Sequence, residues 1–399
     1  MPPLLPVAEA LARVTAAFSP LPAEQVSIAD GLGRVLAADV VARLTQPPTA
    51  VSSMDGYAVR AADVATAPTT LRRVGEAPAG GAHEGKLGAG ETVRIFTGGP
   101  VPHGADAVVM QEDTEVHGDR ITMGVAAFGG EFVRPAGLDF SKGDVGLTAG
   151  RRLAPRDIGL AAAMNVPWLT VRRRPRVALL ATGDEVVRPG EPVGPNQIVS
   201  SNSLALAALV TEAGGEPIDL GIALDNADSL ERMAAGAKGA DVLVTTGGAS
   251  VGDHDLVQQV LGKVGFELDF WRIAMRPGKP LIFGDINGTP LLGFPGNPVS
   301  ALVCAMVFLR PAMETMLAVD NSAGSETAAL GIDLDANDHR QDYLRARLEP
   351  GANGELVATP FAKQDSSMLS TLTASGCLVI RPPHAGPAKA GERAEILRL

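Results

Sequence analysis

Asp241-Val-Leu-Val-Thr-Thr-Gly-Gly-Ala-Ser-Val-Gly-Asp253-His-Asp255 joins a short β-branched run to a glycine-rich turn. Val242 to Val244 reads as a buried parallel strand. Ser250, Gly252 and Asp253 then precede the helical pattern Leu256, Val257, Val260, Leu261. Glycines let the backbone approach a ligand closely, and free N–H groups at a helix start attract phosphate. Two carboxylates beside such a site suit a magnesium ion. An ordinary strand-turn-helix junction capped by Asp253 is the alternative. Hydroxyls, glycines and paired acids concentrated in one turn favour a ligand site.

The surrounding segment keeps one rhythm. Strand candidates are Val177–Leu180, Pro217–Ile222, Val242–Val244, Leu281–Phe283 and Leu291–Leu292. Helical stretches lie between several of them, at Ser203–Ala213, Ser229–Ala237, Leu256–Val264 and Val299–Leu309. Strands alternating with helices predict a doubly wound parallel sheet that binds ligands beyond the carboxyl ends of its strands. Two more loops should reach that edge: Leu180-Ala-Thr-Gly-Asp-Glu185 and Gly293-Phe-Pro-Gly-Asn-Pro-Val-Ser300. Pro298 suits a helix start, where the N–H it lacks has no internal partner. Asn297 or Ser300 would then serve an anionic ligand. Arg272, Arg276 and Lys279 occupy a Pro- and Gly-framed span, Trp271-Arg-Ile-Ala-Met-Arg-Pro-Gly-Lys-Pro280. Arginine offers a planar fork for oxyanions and lysine a compact charge, so this is the basic complement expected of a phosphate site.

Elsewhere the texture changes. Val7 to Phe18 and Ser27 to Val40 are candidate helices, Gln46-Pro-Pro breaks the pattern, and short strand-like runs continue to about Asp139. Helix returns over Arg156 to Asn165. The expected organisation is a helical domain over 1–45 and 140–174, an inserted β-rich domain at 46–139, an α/β domain at 175–321, and a C-terminal β domain at 322–399. The formal net charge of −11 argues against broad nucleic-acid or membrane surfaces, so an anionic ligand must meet a local basic site. Cys304 and Cys377 sit in apolar patterns as expected buried thiols, without a disulfide framework. The N-terminus lacks signal-peptide features, and no uninterrupted apolar run reaches spanning length. A soluble cytoplasmic protein is expected. The six histidines show no metal-ligand spacing, and His254 reads as a solvated loop residue.

Two N-terminal motifs complete the set: Ser52-Ser-Met-Asp-Gly-Tyr-Ala-Val59 and Ile95-Phe-Thr-Gly-Gly-Pro-Val-Pro102. Alone each reads as turn chemistry. With Thr-Gly-Asp-Glu, Thr-Thr-Gly-Gly-Ala-Ser-Val-Gly-Asp, Arg-Pro-Gly-Lys-Pro and Phe-Pro-Gly-Asn-Pro-Val-Ser, in this order along nearly the whole chain, the sequence resembles the molybdopterin molybdenumtransferase family. That family includes the C-terminal domain of gephyrin.

The resemblance implies an α/β multidomain subunit. It would hold one domain like molybdopterin adenylyltransferase, a helical N-terminal domain with an inserted β domain, and a small C-terminal β-barrel-like domain. It implies an elongated homodimer whose site lies between the α/β domain and the partner's N-terminal domains. The implied reaction takes adenylylated molybdopterin and molybdate, cleaves the phosphoanhydride with Mg2+, and yields molybdenum cofactor and AMP. Molybdopterin adenylyltransferase and molybdoenzymes are implied partners. Carried over by position, Asp55, Glu185, Asp225 and Asp255 would be the catalytic acids, the last three holding metal. Thr97 and Asp139 would complete the partner-side wall. Gly248 and Ser250 would support the pterin phosphate or nucleotide. Arg272, Arg276, Lys279, Pro295, Pro298 and Ser300 would line the oxyanion site.

The chain departs from its relatives in places. Arg272 and Arg276 stand where many carry lysine, and in Gln364-Asp-Ser-Ser367 an aspartate replaces the usual glycine. That substitution bears on any ligand role for Ser366 or Ser367, and Arg345 is a weaker oxyanion candidate. Two other readings stand beside the first. A nucleotide-phosphate enzyme on the same domain, such as the competence-damage amidases, would lack the Met-Asp-Gly-Tyr segment. A non-catalytic scaffold would not need the four acids.

Overall fold

The computed structural model describes residues 4–224, 226–247, 265–320 and 326–399. The chain forms two compact units. One combines Met1–Glu24, Gly33–Ala37 and Val171–Leu399; the other combines Gln25–Leu32 with Ala38–Thr170.

The first unit is built on a mixed six-stranded sheet. Its strands are β1 (Arg176–Thr182), β2 (Glu216–Ala223), β3 (Val242–Thr246), β4 (Phe266–Trp271), β5 (Ile282–Ile286) and β6 (Thr289–Phe294). Their spatial order is β2-β1-β3-β6-β5-β4. The first four in that order are parallel, and β5 and β4 add an antiparallel edge. The parallel sheet expected of this segment is present, with an antiparallel pair added at this edge. Only two residues, Asn287 and Gly288, separate β5 from β6, too few for the crossover that parallel strands require. Glu267 and Asp269 interrupt the apolar residues of β4, so no apolar run marks it in the sequence.

Alternation along the strands divides two cores. Val177, Leu179, Val242 and Val244 face one side, with the N-terminal helix Val7–Ala16, helix Asn202–Glu212 and the long helical run that starts at Pro298. Ala178, Leu180 and Leu243 face the other, against Ala223, Ala237 and Met233. This period of two is what a strand buried on both faces requires. The helical run changes pitch, with α-helix over Pro298–Cys304, a π turn over Ala305–Leu309, and α-helix again over Arg310–Leu317. The wider turn falls just before Pro311, whose ring cannot sit against the carbonyl four residues back. Pro298–Leu317 has the length and hydropathy of a membrane span, but 67% of the window is buried inside the fold, as in a core helix.

The same unit ends in a closed five-stranded barrel. Strands β7 (Glu326–Leu330), β8 (Gln341–Pro350), β9 (Leu356–Pro360), β10 (Cys377–Arg381) and β11 (Arg393–Arg398) pair in the cycle β8-β9-β7-β11-β10, and β10 returns to β8. Closure leaves a small sheet without free edges. Cys304 and Cys377 are both buried free thiols, and burial pushes the Cys377 thiol up to about 11.

The second unit holds a six-stranded sheet made of Gly56–Val59, Thr69–Ala77, Glu91–Ile95, Ala107–Met110, Thr114–His117 and Arg120–Met123. Helix Pro155–Ala163 matches the expectation for that segment. The expected helix from Ser27 to Val40 does not form; a single 3-10 turn, Ile28–Asp30, takes its start. Gly31 and Gly33 explain the difference. A Cβ at Gly31 would lie 2.7 Å from a Leu169 methyl, and Gly33 has φ 73°, outside the helical range.

Phe308 is fully buried on the π turn between the sheet and the barrel-side core. Phe308→Ala should cost about 3–5 kcal/mol through lost burial and the cavity left behind. Calorimetry would register this as a lowered unfolding temperature with an unchanged far-UV circular dichroism spectrum at 20–25 °C (roughly ambient).

Candidate functional site

Strands β1, β3 and β6 lie side by side, with Ala181 opposite Thr246 and Thr246 opposite Phe294. Their carboxyl ends are therefore level, and the loops that follow open at one edge. The Thr182 hydroxyl donates to the Thr246 carbonyl at 3.3 Å, and the Gly247 N–H donates to the Phe294 carbonyl at 3.3 Å. Gly247 has φ 93°, and a Cβ there would stand 2.4 Å from the Thr182 carbonyl oxygen. Glycine is thus required both by conformation and by space. Beyond these ends lies a cavity of about 630 Å³, within the usual range for small-molecule sites. Thr182, Gly183, Glu185, Thr246, Gly247 and the run Pro295 to Pro298 line it.

Neighbouring segments fix the walls. Val186–Val187 and Ile198–Val199 pair in parallel, and the Ile198 N–H donates to the Glu185 carbonyl at 2.8 Å. The Asn202 side-chain amide donates to the Gly296 carbonyl at 2.8 Å, tying a helix start to the third loop. From the barrel side, Ser367 lines the cavity. The preceding residue anchors it: the Asn297 amide donates to the Ser366 hydroxyl at 2.9 Å, and the Val299 N–H donates to the Ser366 carbonyl at 3.1 Å.

Arg345 supports this loop from below, with 1% of its surface exposed. Its Nε donates to the Gln364 side-chain oxygen at 3.2 Å and its Nη1 to the Asp365 carbonyl at 2.8 Å. Burial holds its pKa below the ordinary arginine value, partly offset by Asp365. Among the described residues its Nη2 has no hydrogen-bond partner. A buried, charged group with an open donor favours an anion or other acceptor nearby.

The expected basic residues are placed differently from one another. Arg276 forms ion pairs with buried Asp342 and, at 3.6 Å, with Asp338. Those bonds tie its strand segment, Met275–Arg276, to β8. Arg272 has φ 68° and lies over the Trp271 ring, 3.5 Å from its centre. Lys279 is exposed beside Pro280, which lines the cavity. Pro295 and Pro298 line it too, whereas Ser300 is buried one turn into the helix. Asp225, Gly248, Ser250 and Asp255 lie outside the described residues. Ser367, whose ligand role the aspartate at 365 put in question, does line the cavity, and so does Asn202, whose only sequence signal is a polar residue beside a helix start.

The structure brings two sequence motifs together in the second unit. The Asp55 carboxylate accepts from the Thr97 N–H and from the Thr97 hydroxyl, both at 2.7 Å. These bonds, with the nearby Arg94 guanidinium, hold the Asp55 carboxyl below its usual range. Arg94 itself lies over the rings of Tyr57 and Phe96 and donates to the Gly56 carbonyl at 3.2 Å. Gly56 admits no side chain, since a Cβ would meet the Val109 carbonyl oxygen at 2.0 Å. Asp139 is exposed, and its backbone N–H donates to Gln46.

For a divalent cation, the described residues contain no cluster of three or more His, Cys, Asp or Glu side chains that could form a metal cage. Glu185 brings one carboxylate to the cavity. Magnesium commonly uses one or two carboxylates, substrate phosphate and water, so this donor set fits a cation shared with substrate.

Comparisons with known proteins cover nearly the whole chain. Residues 5–165 match the MoeA N-terminal region, residues 178–315 a probable molybdopterin binding domain, and residues 327–399 the MoeA C-terminal region. A molybdopterin molybdenumtransferase from a Nostoc species is 41% identical over 71% of this chain and 67% of its own. One from Haemophilus influenzae is 32% identical over 94% of each chain. A crystal structure of a molybdopterin biosynthesis MoeA protein from Pyrococcus horikoshii is 33% identical, with TM-score 0.84 over 99% of each chain.

Thr97→Val removes the hydroxyl donor to Asp55 but keeps the backbone one. NMR titration of the Asp55 carboxyl should show its midpoint rising toward the ordinary aspartate value. Because the folded pKa is depressed, its contribution to stability is present above the unfolded value and is lost as pH falls through the folded one. A midpoint unmoved by the substitution would refute the hydroxyl's role.

Proposed function

The chain belongs to the molybdopterin molybdenumtransferase family and is a transferase of molybdenum cofactor biosynthesis; from that premise we propose that it joins molybdenum from molybdate to adenylylated molybdopterin, cleaves the phosphoanhydride and releases AMP. The observation that carries this reading is the convergence of three parallel strand ends on the cavity containing Glu185 and Gly247. Threonine hydroxyls and glycine backbone suit phosphate oxygens, while Pro295 and Pro298 give apolar walls suited to a flat ring.

Within this proposal, Gly248 and Ser250 continue the phosphate turn. Glu185, Asp225 and Asp255 would hold magnesium, which supplies charge neutralisation on the phosphoryl oxygens. The chain's own contribution is to position substrate and stabilise developing negative charge. Lys279 and Arg272 serve the oxyanion side with Pro295, Pro298 and Ser300. Arg276 would join them by exchanging its bond to Asp342.

We further infer that the protein is a cytoplasmic homodimer and that Asp55, Thr97 and Asp139 serve the partner's catalytic site. Leu32, Val41, Val145 and Trp168 are exposed apolar residues in the second unit and support an oligomeric contact. The buried free thiols accord with a reducing compartment. An adenylyltransferase that supplies the substrate and acceptor molybdoenzymes are the proposed partners.

Purified protein mixed with adenylylated molybdopterin, magnesium and molybdate should release AMP only when molybdate is present. No molybdate-dependent release would sink the proposed reaction. Glu185→Gln should lower turnover by about tenfold or more, with partial recovery in excess magnesium. Subunits carrying Asp55→Ala and Asp255→Ala should be inactive alone and partly rescue one another in mixed dimers. Confirmed heterodimers without rescue would contradict a site shared between subunits.

A further inference from the structure

Ser366 and Ser367 are neighbours with opposite hydrogen-bonding assignments. The Ser366 hydroxyl accepts from the Asn297 amide at 2.9 Å. The Ser367 hydroxyl instead donates to Asp365 Oδ1 at 2.7 Å, and the same oxygen accepts from the Ser367 N–H at 2.8 Å. Ser367 lines the cavity, and the Asp365 carbonyl is held by Arg345 Nη1 at 2.8 Å.

A hydroxyl has one proton and two acceptor lone pairs. With its proton directed to a carboxylate, Ser367 presents lone pairs to a ligand. An incoming oxyanion would have to take that proton and then lie close to the Asp365 charge. Such like-charge proximity is unfavourable, and the Arg345 guanidinium beneath the loop and solvent at this exposed turn offset part of it. An N–H or O–H group meets no such obstacle.

We propose that Asp365 fixes Ser367 as a hydrogen-bond acceptor at the cavity mouth, where it selects a donor group on the pterin substrate and disfavours an oxyanion. This rests on the molybdopterin reading of the cavity. Asp365 is thus a positioning residue acting through Ser367. A glycine would leave the serine proton free. The aspartate therefore gives this chain a specificity device that the bare turn would lack.

The test uses the full-length protein and two separate probes. Pterin fluorescence would give the affinity for adenylylated molybdopterin, and calorimetry the affinity for molybdate alone. Ser367→Ala should weaken pterin binding about fivefold to tenfold while changing molybdate binding by less than about twofold. Asp365→Asn keeps an acceptor oxygen for Ser367 and should retain pterin affinity within about twofold. Asp365→Gly should weaken pterin binding and tighten molybdate binding by about threefold or more, because the hydroxyl proton is released. Equal weakening of both ligands by Ser367→Ala, or no change in either with Asp365→Gly, would overturn the proposal. If the wild type binds both ligands without releasing AMP, the proposed reaction fails while the affinity comparison still decides the role of Ser367. A wild type that binds neither ligand overturns both.

Discussion

The parallel register of β1, β3 and β6 is the constraint on which the candidate site depends. Backbone hydrogen bonding fixes Ala181, Thr246 and Phe294 at one level, so the loops that follow cannot spread along the sheet. Gly247 then permits the close approach to Thr182 that a side chain would block. Asn202 ties the third loop to the start of the helix Asn202–Glu212, and the Ser366 contacts bring a barrel loop to the same place. A change in register would move every one of these groups together.

Electrostatics adds a local solution to an acidic whole. The chain has a formal net charge of −11, yet Arg345 is a buried cation beneath the loop that carries Ser367. Gln364 and the Asp365 carbonyl hold its position. Arg276 is different, because Asp338 and Asp342 already compensate its charge. Asp338 in turn is held well below the usual carboxylate range, chiefly by its hydrogen bond to Arg340. Arg276 thus fastens two strand segments together, whereas Arg345 is held beneath a cavity loop.

Periodicity made much of this arrangement legible. The apolar runs of β1, β3 and β6 show directly in sequence, and their glycine-rich exits mark the ligand edge. The antiparallel turn between β5 and β6 was less visible, since both strands are short and apolar and look alike in either direction. The apolar pattern of Ser27 to Val40 suggests a helix, but Gly31 and Gly33 decide the backbone there. Asp55 and Thr97 are far apart in sequence, and only their motif resemblance hinted at the hydrogen bonds that join them. The partner of Arg276 was not legible at all, because Asp342 comes from a barrel strand 66 residues away.

Hydrogen–deuterium exchange with and without adenylylated molybdopterin tests the convergence of the strand-end loops most directly. Ligand should slow exchange together in residues 181–187, 198–202, 296–302 and 365–369. Protection confined to other surfaces, with these four segments unchanged under saturating ligand, would contradict a binding site at the aligned carboxyl ends of β1, β3 and β6.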